Sequence, residues 1–222
     1  MTKLAIVFGA SGATGSKVCS QLLDDANFDK VIAYTREKLR TPQNKNPKLL
    51  NKTDDLMSLE SFENIMDPTK TFIFCCLGTT RKKSRSAEAF RRVDFDLCLR
   101  LAKIARKQNI GYFSIITAQG ANSKLWAPKN SLFHPLFYSK IKGEIELELI
   151  KLNFSCLHIY RPGLLDRKQK DKRFFEDLAI KILPSLPVDK LASFMIGKSL
   201  SYQKGHDKKK FTIFEDKDIY PR

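Results

Sequence analysis

Apolar runs of strand length alternate along the chain with stretches whose apolar residues recur every three or four positions. Residues 4–8 (LAIVF) are wholly apolar, and residues 14–23 follow with Val18, Leu22 and Leu23 on one helical face. A second short strand is predicted at 31–34. Residues 39–56 carry little pattern and are rich in Asn, Lys and Pro, so they read as a loop with one edge strand near Leu49 and Leu50. A short helix is predicted over 59–65 and a fully buried strand over 71–77 (TFIFCCL). The longest predicted helix spans 87–108, followed by a strand at 112–117 (YFSIIT). A helix over 136–152 and a strand over 156–160 come next. Beyond Gly163 the pattern weakens, with helices expected at 174–183 and 188–200 and a last strand at 211–214.

Strands that alternate with helices predict an α/β fold, a doubly wound parallel sheet with helices on both faces. Strands without internal alternation fit that arrangement, because both faces of a parallel sheet are covered. A length of 222 residues suits one domain, read as 1–222, with a small substrate-side region over about 164–210. The hydrophobic content of 42% is enough for a packed core. Residues 1–8 lack a basic segment followed by a long apolar one, and no run has the length of a membrane span, so a cytoplasmic protein is expected. Cys19, Cys75, Cys76, Cys98 and Cys156 sit in apolar segments without CxxC spacing and read as reduced, buried thiols. His134, His158 and His206 are scattered, and no metal site is expected.

The first strand runs directly into GASGATG, residues 9–15. Glycines between a strand and a helix start let a diphosphate approach the backbone, where the helix offers free N–H groups. Gly9, Ser11, Gly12, Ala13, Thr14 and Gly15 are therefore candidate cofactor contacts. About 20 residues further on, an acid would accept the ribose 2′-hydroxyl of NAD. Thr35 and Arg36 stand there instead, and an arginine suits the 2′-phosphate of NADP(H). The alternative is that Arg36 is a solvated surface charge.

Two Tyr-x-x-x-Lys sequences occur, Tyr34 with Lys38 and Tyr138 with Lys142. The first ends a strand, where the two side chains need not converge. The second lies in a predicted helix, where positions four apart share a face.

The chain resembles the short-chain dehydrogenase/reductase superfamily, in its atypical branch, and within it the group of the HIV Tat-interactive proteins. The residues that carry the resemblance are GASGATG (9–15), CLGTTR (76–81), RVDFD (92–96), QGA (119–121), YSKIKGEIE (138–146) and RPG (161–163), all in the expected order. It implies a Rossmann fold, with Tyr138 as general acid/base. Lys142 would bind the nicotinamide-ribose hydroxyls and favour the deprotonated tyrosine. Leu77, Gly78, Thr79 and Thr80 would hug the cofactor, and Pro162 and Gly163 would close over its nicotinamide end. One departure stands out. Where the superfamily has a serine to polarise the substrate carbonyl, this chain has Thr117, followed by Ala118. Ser114, Ser123 and Ser131 are the other hydroxyls within reach, and a backbone-bonded strand threonine is the competing reading of Thr117.

The loop over 120–135 carries the single tryptophan, Trp126, with Leu125, Leu132 and Phe133, and reads either as a lid or as packing against the C-terminal region. Net charge is +16. Basic residues cluster at Arg36, Lys38 and Arg40, at 81–85 (RKKSR) and at 167–173 (RKQKDKR), each after a predicted strand. In a parallel sheet these loops emerge at the carboxyl edge, so an acidic small-molecule substrate or a polyanionic partner is expected there. Lysines 208–210 read as a solvated turn. No basic-aromatic motif of the nucleic-acid modules is present, so nucleic acid is not the expected partner. Two functions remain open: NADPH-dependent hydride transfer on a carbonyl or alcohol, or NADPH binding that acts through a protein partner.

Overall fold

The computed structural model describes residues 2–39, 46–128, 134, 136–166, 185–207 and 209–221. Its centre is a seven-stranded parallel sheet. Strand β1 (Leu4–Phe8) leads into helix α1 (Ala13–Asp24), then come β2 (Lys30–Tyr34) and β3 (Leu49–Lys52). On the other side of β1 lie β4 (Thr71–Cys75), β5 (Tyr112–Ile116), β6 (Cys156–Arg161) and, at the far edge, β9 (Phe211–Glu215). The order β3-β2-β1-β4-β5-β6-β9 reverses direction between β1 and β4. Helices α2 (Arg81–Ser84), α3 (Ala87–Arg91), α4 (Cys98–Lys107), α5 (Phe137–Lys151), α6 (Val188–Gln203) and α7 (Asp216–Ile219) complete the framework, with β7 (Leu165–Asp166) and β8 (Leu186–Pro187) forming a two-stranded parallel pair.

The period-two geometry of the strands divides the core into two layers. Ala5, Val7, Val31, Ala33, Phe72 and Phe74 face Val18, Cys19 and Leu22 of α1 and Leu191, Ala192 and Met195 of α6. Leu4, Ile6, Phe8, Ile32, Ile73 and Phe113 face Leu101 and Ala105 of α4 and Ile145 and Leu149 of α5. Each fully buried aliphatic side chain contributes about 1.5–3 kcal/mol relative to exposure, so both layers are strongly anchored. Of the region beyond residue 164, α6 packs on α1 and β9 joins the main sheet; residues 167–184, including the helix expected at 174–183 and the basic run at 167–173, lie outside the described residues.

Two expectations need correction. The predicted helix over 59–65 does not form; the segment is a series of bends. Its polar groups are satisfied by a side chain from afar: Phe62 N–H donates to Gln108 Oε1 at 2.7 Å, and Gln108 Nε2 donates to the Phe62 carbonyl at 2.9 Å. Buried Phe62 then packs on Phe8 and Tyr34, so tertiary contact has overridden the local pattern. The long helix over 87–108 is interrupted. Between α3 and α4 the chain makes a wider π turn over Arg92–Leu97, which carries the buried Asp94.

Candidate active site

The glycine turn is built by close backbone approach. Gly9 has φ +82°, and a Cβ there would sit 2.7 Å from the Cys76 carbonyl oxygen. A Cβ on Gly15 would fall 2.2 Å from the Gly9 carbonyl oxygen. Both positions therefore require glycine, one for its backbone angle and both for space. The Gly12 N–H donates to the Gly9 carbonyl at 2.9 Å, and Gly12, the capping residue just before α1, offers no side-chain cap. The first-turn N–H groups and the positive end of the helix dipole face this turn, and no acidic residue occupies the first turn. An uncapped helix start beside a glycine cradle fits a dinucleotide diphosphate.

The turn lies at the point where the strand order reverses, the place where open α/β sheets bind ligands. Gly9 follows β1 and touches Cys76 and Leu77, which follow β4. The other loops of this edge converge on the same side. Thr117 follows β5, and Pro162 and Gly163 follow β6. The Pro162 carbonyl accepts from Gln119 N–H at 2.9 Å, and Gly163 N–H donates to Asp216 Oδ1 at 2.9 Å, which ties the RPG corner to its neighbours.

Tyr138 and Lys142 are one turn apart on α5, at its end nearest this edge. Tyr138 is half-buried against Phe90, with ring centroids 5.5 Å apart. Lys142 is buried, its Nζ 6.0 Å from the Tyr138 ring centroid. Its counter-charge is Asp94, whose Oδ1 lies 2.8 Å from Lys142 Nζ with both side chains almost fully enclosed. The contact is a close ion pair rather than a well-aligned hydrogen bond. Burial by itself pushes the Lys142 ammonium toward deprotonation; the attraction of Asp94, reinforced by Tyr138, outweighs it and holds the group above its ordinary value. Lys142 is thus a fixed cation. The other oxygen of Asp94 accepts from Thr79 N–H at 2.9 Å. A Cβ on Gly78 would stand 3.8 Å from Lys142 Nζ and 3.5 Å from Asp94 Oδ1, so the LGTT segment lies directly over the pair. Asp94 had no role in the sequence reading beyond membership of the RVDFD match. The signal was present: Phe90, Asp94, Cys98 and Leu101 form a buried stripe, and an acid on such a stripe needs a partner.

Thr117 is buried, and its hydroxyl donates to Glu146 Oε1 at 2.6 Å, with the Tyr160 carbonyl 3.3 Å away. Glu146 lies one turn beyond Lys142 on the same helix and is bound by Arg161, with Arg161 Nε 3.0 Å from Glu146 Oε1. Arg161 also reaches Glu215 at 2.9 Å, and these two carboxylates keep it charged. The Thr117 hydroxyl is therefore spent on a buried network. Ser114 is spent as well, donating to the Ile73 carbonyl at 2.8 Å from inside the sheet. Ser123 lies on the loop whose backbone packs against Gly143 of α5, and Ser131 is outside the described residues. Cys76, beside the glycine turn, has its thiol pushed up to about 12 by burial, which keeps it protonated and unreactive.

Arg36 is exposed just past the end of β2, as a 2′-phosphate contact would need. Tyr34 is buried and stacked on Phe8, whereas Lys38 is exposed, so that pair does not converge. Trp126 is 74% exposed, with its ring edge-on to His134; Leu132 and Phe133 lie outside the described residues. Of the basic clusters, Lys83 and Arg85 are exposed after β4, and Arg40 is outside the described residues.

Residues 9–197 match the protein family described as NAD(P)H-binding. The chain belongs to this NAD(P)H-binding family. It is 32% identical over 185 residues to the protein HTATIP2 of Rattus norvegicus, a match covering 83% of this chain and 72% of the relative. It is 31% identical over 180 residues to the mitochondrial protein FMP52 of Candida glabrata, covering 80% of this chain and 71% of that one. The resemblance to atypical short-chain dehydrogenases/reductases of the Tat-interactive group therefore holds. Among solved structures, a UDP-galactose 4-epimerase superposes with a TM-score of 0.70 at 12% identity, over 96% of this chain and 76% of that one. A UDP-glucuronic acid 4-epimerase from Bacillus cereus in complex with NAD superposes with a TM-score of 0.61 at 12% identity, over 96% and 86%. At that identity the likeness speaks to the fold, and it is the fold of an NAD(P)-binding protein. Among the described residues, no helix is long and apolar enough to cross a membrane.

Proposed function

We propose that this chain is an NADP(H)-dependent oxidoreductase that moves a hydride between the nicotinamide and a carbonyl or alcohol substrate. The observation that carries the reading is the Tyr138–Lys142 pair at the carboxyl edge, with Lys142 locked by Asp94 under the LGTT segment. Gly9, Ser11, Gly12, Ala13, Thr14 and Gly15 would hold the diphosphate, and Arg36 the 2′-phosphate. Leu77, Gly78, Thr79, Thr80, Pro162 and Gly163 would line the rest of the dinucleotide. NADP(H), when bound, supplies or accepts the hydride. Tyr138 gives its phenolic proton to the oxygen of the reduced product and takes it back in oxidation. Lys142, a permanent buried cation, stabilises the phenolate that this leaves. Thr117 reaches a substrate carbonyl only when its bond to Glu146 opens. The exposed cations Arg36, Lys38, Lys83 and Arg85 favour an acidic substrate at this edge. The whole chain acts as one domain in a reducing compartment such as the cytoplasm, in keeping with its five free cysteines; the FMP52 relative carries the label mitochondrial.

The test is NADPH consumption by the full chain with a panel of aldehydes, ketones and quinones. We expect turnover that Tyr138→Phe lowers by about 100-fold or more, with nucleotide affinity little changed. Turnover unaffected by that substitution would overturn the role of Tyr138. A second reading rests on two observations: the Thr117 hydroxyl is engaged, and Trp126 stands out from the surface. Under it the chain binds NADPH and acts through a protein partner. NADPH binding without consumption across the panel would favour that reading.

A further inference from the structure

At the opposite edge of the sheet from the glycine turn, three ligand atoms of different chemistry meet. Cys156 opens β6 and His158 lies two residues on, while Asp207 comes from the segment between α6 and β9. His158 Nε2 is 2.8 Å from Asp207 Oδ2 and 3.2 Å from Cys156 Sγ, and all three ligand atoms lie within 4.8 Å of one another. We propose that Cys156, His158 and Asp207 form a binding site for a transition-metal dication of the zinc type.

Thiol and carboxylate both address the same ring nitrogen. In a nucleophile–imidazole–acid relay they would address opposite nitrogens. Here the other nitrogen, Nδ1, is held by the Tyr112 hydroxyl at 3.0 Å, with Tyr160 Oη at 3.4 Å. That is the outer-shell contact that orients a ligating histidine. One Nε2 cannot serve both neighbours well: with its hydrogen given to Asp207, it offers no lone pair to the buried thiol. A cation satisfies all three groups at once. In a tetrahedral site with bonds of about 2.0–2.3 Å, ligand atoms stand roughly 3.3–3.6 Å apart. His158 Nε2 needs to draw back from its two neighbours by only about half an ångström. Cys156 Sγ and Asp207 Oδ2, within 4.8 Å of each other, need only small side-chain adjustment to reach the same separation.

The donor set chooses the metal. Sulfur and imidazole nitrogen favour zinc-like ions over magnesium or calcium. A thiolate and a carboxylate neutralise a dication. Cys156 and His158 are buried, while the Asp207 side chain is 17% exposed, which leaves a path from solvent and room for a fourth, water ligand. Protons balance as follows. The Cys156 thiol proton leaves to solvent. The imidazole stays neutral, its hydrogen moving from Nε2 to Nδ1, where the Tyr112 oxygen accepts it. Tyr112 turns its own hydrogen toward Tyr160 or Ser114, both within its hydrogen-bonding environment. Sequence spacing could not show this site, because Asp207 is 49 residues from His158.

The experiment is titration of the full, reduced, chelator-treated chain with Co²⁺, followed by thiolate-to-cobalt absorption and by release of protons to an indicator dye. We expect one equivalent to bind, with the absorption band and about one proton released per metal. Zn²⁺ should displace the cobalt and raise the unfolding temperature. Cys156→Ala should abolish the band, whereas Cys19→Ala and Cys76→Ala should keep it. Asp207→Asn, which keeps the side chain's shape and one oxygen toward His158 Nε2, should weaken binding by about tenfold or more. If Cys156→Ala fails to fold, Asp207→Asn and the proton count decide. Absence of a stoichiometric band in the wild-type chain, or a band and affinity untouched by Asp207→Asn, would overturn the proposal. Circular dichroism and nucleotide binding serve as controls independent of the metal.

Discussion

Gly15 and Asp94 show how single positions set the chemistry of the carboxyl edge. A methyl group on Gly15 would meet the Gly9 carbonyl oxygen at 2.2 Å, and neither is a flexible side-chain end that could yield. Gly15→Ala is therefore expected to cost about 1–3 kcal/mol in urea unfolding and to abolish nucleotide binding in titration. Asp94 is the sole counter-charge we find on buried Lys142 among the described residues. Removing one partner of a buried pair leaves the other charge enclosed and unpaired, so Asp94→Ala should destabilise by about 3–5 kcal/mol. The pH dependence has a definite sign. Lys142 is held above its ordinary value in the folded chain. The stability that this contributes is fully present below the unfolded lysine value of about 10.5 and is lost as pH rises beyond it. The wild-type contribution should thus stay level from about pH 6 to about pH 9 and fall only above about 10.5. In Asp94→Ala burial alone lowers the Lys142 value, so the gap between the two chains should already narrow as pH rises through that lowered value. Urea melts at four pH values measure it.

At the level of elements, most strands of the main sheet were legible because they are short, apolar and set off by polar or glycine-rich residues, whereas the two-residue pair β7 and β8 was not foreseen. β1, β4 and β5 required no context beyond themselves. The segment over 59–65 was not legible, because what shapes it is Gln108, 46 positions away. Gln108→Ala would strip both bonds from the Phe62 backbone. It should cost about 1–3 kcal/mol and speed proteolysis of this segment, while leaving nucleotide binding unchanged. The π turn was equally hidden. A helical pattern over 87–108 has the same apolar stripe whether or not one turn is wider. The wider turn nevertheless presents Asp94 to both Thr79 and Lys142. Such turns recur at functional sites because they re-aim one residue without ending the helix.

On the scale of the whole molecule, strand order decides where chemistry can occur. The strand order reverses between β1 and β4, and the glycine turn, the LGTT segment and the RPG corner all follow strands at the same carboxyl edge of the sheet. Alternating apolar segments foretold the parallel sheet. The buried acids Asp94 and Glu146, and Arg161 with which Glu146 pairs, were not foretold as partners, because each pair joins two different elements. The central claim is that this edge holds NADP(H) and selects it through Arg36. The most direct measurement is titration of the full chain with NADPH and with NADH, following nucleotide fluorescence, in the wild type and in Arg36→Asp. The account predicts tight NADPH binding and weak NADH binding in the wild type, with the preference lost in Arg36→Asp. Equal affinity for the two nucleotides, or a preference that survives the substitution, would contradict it.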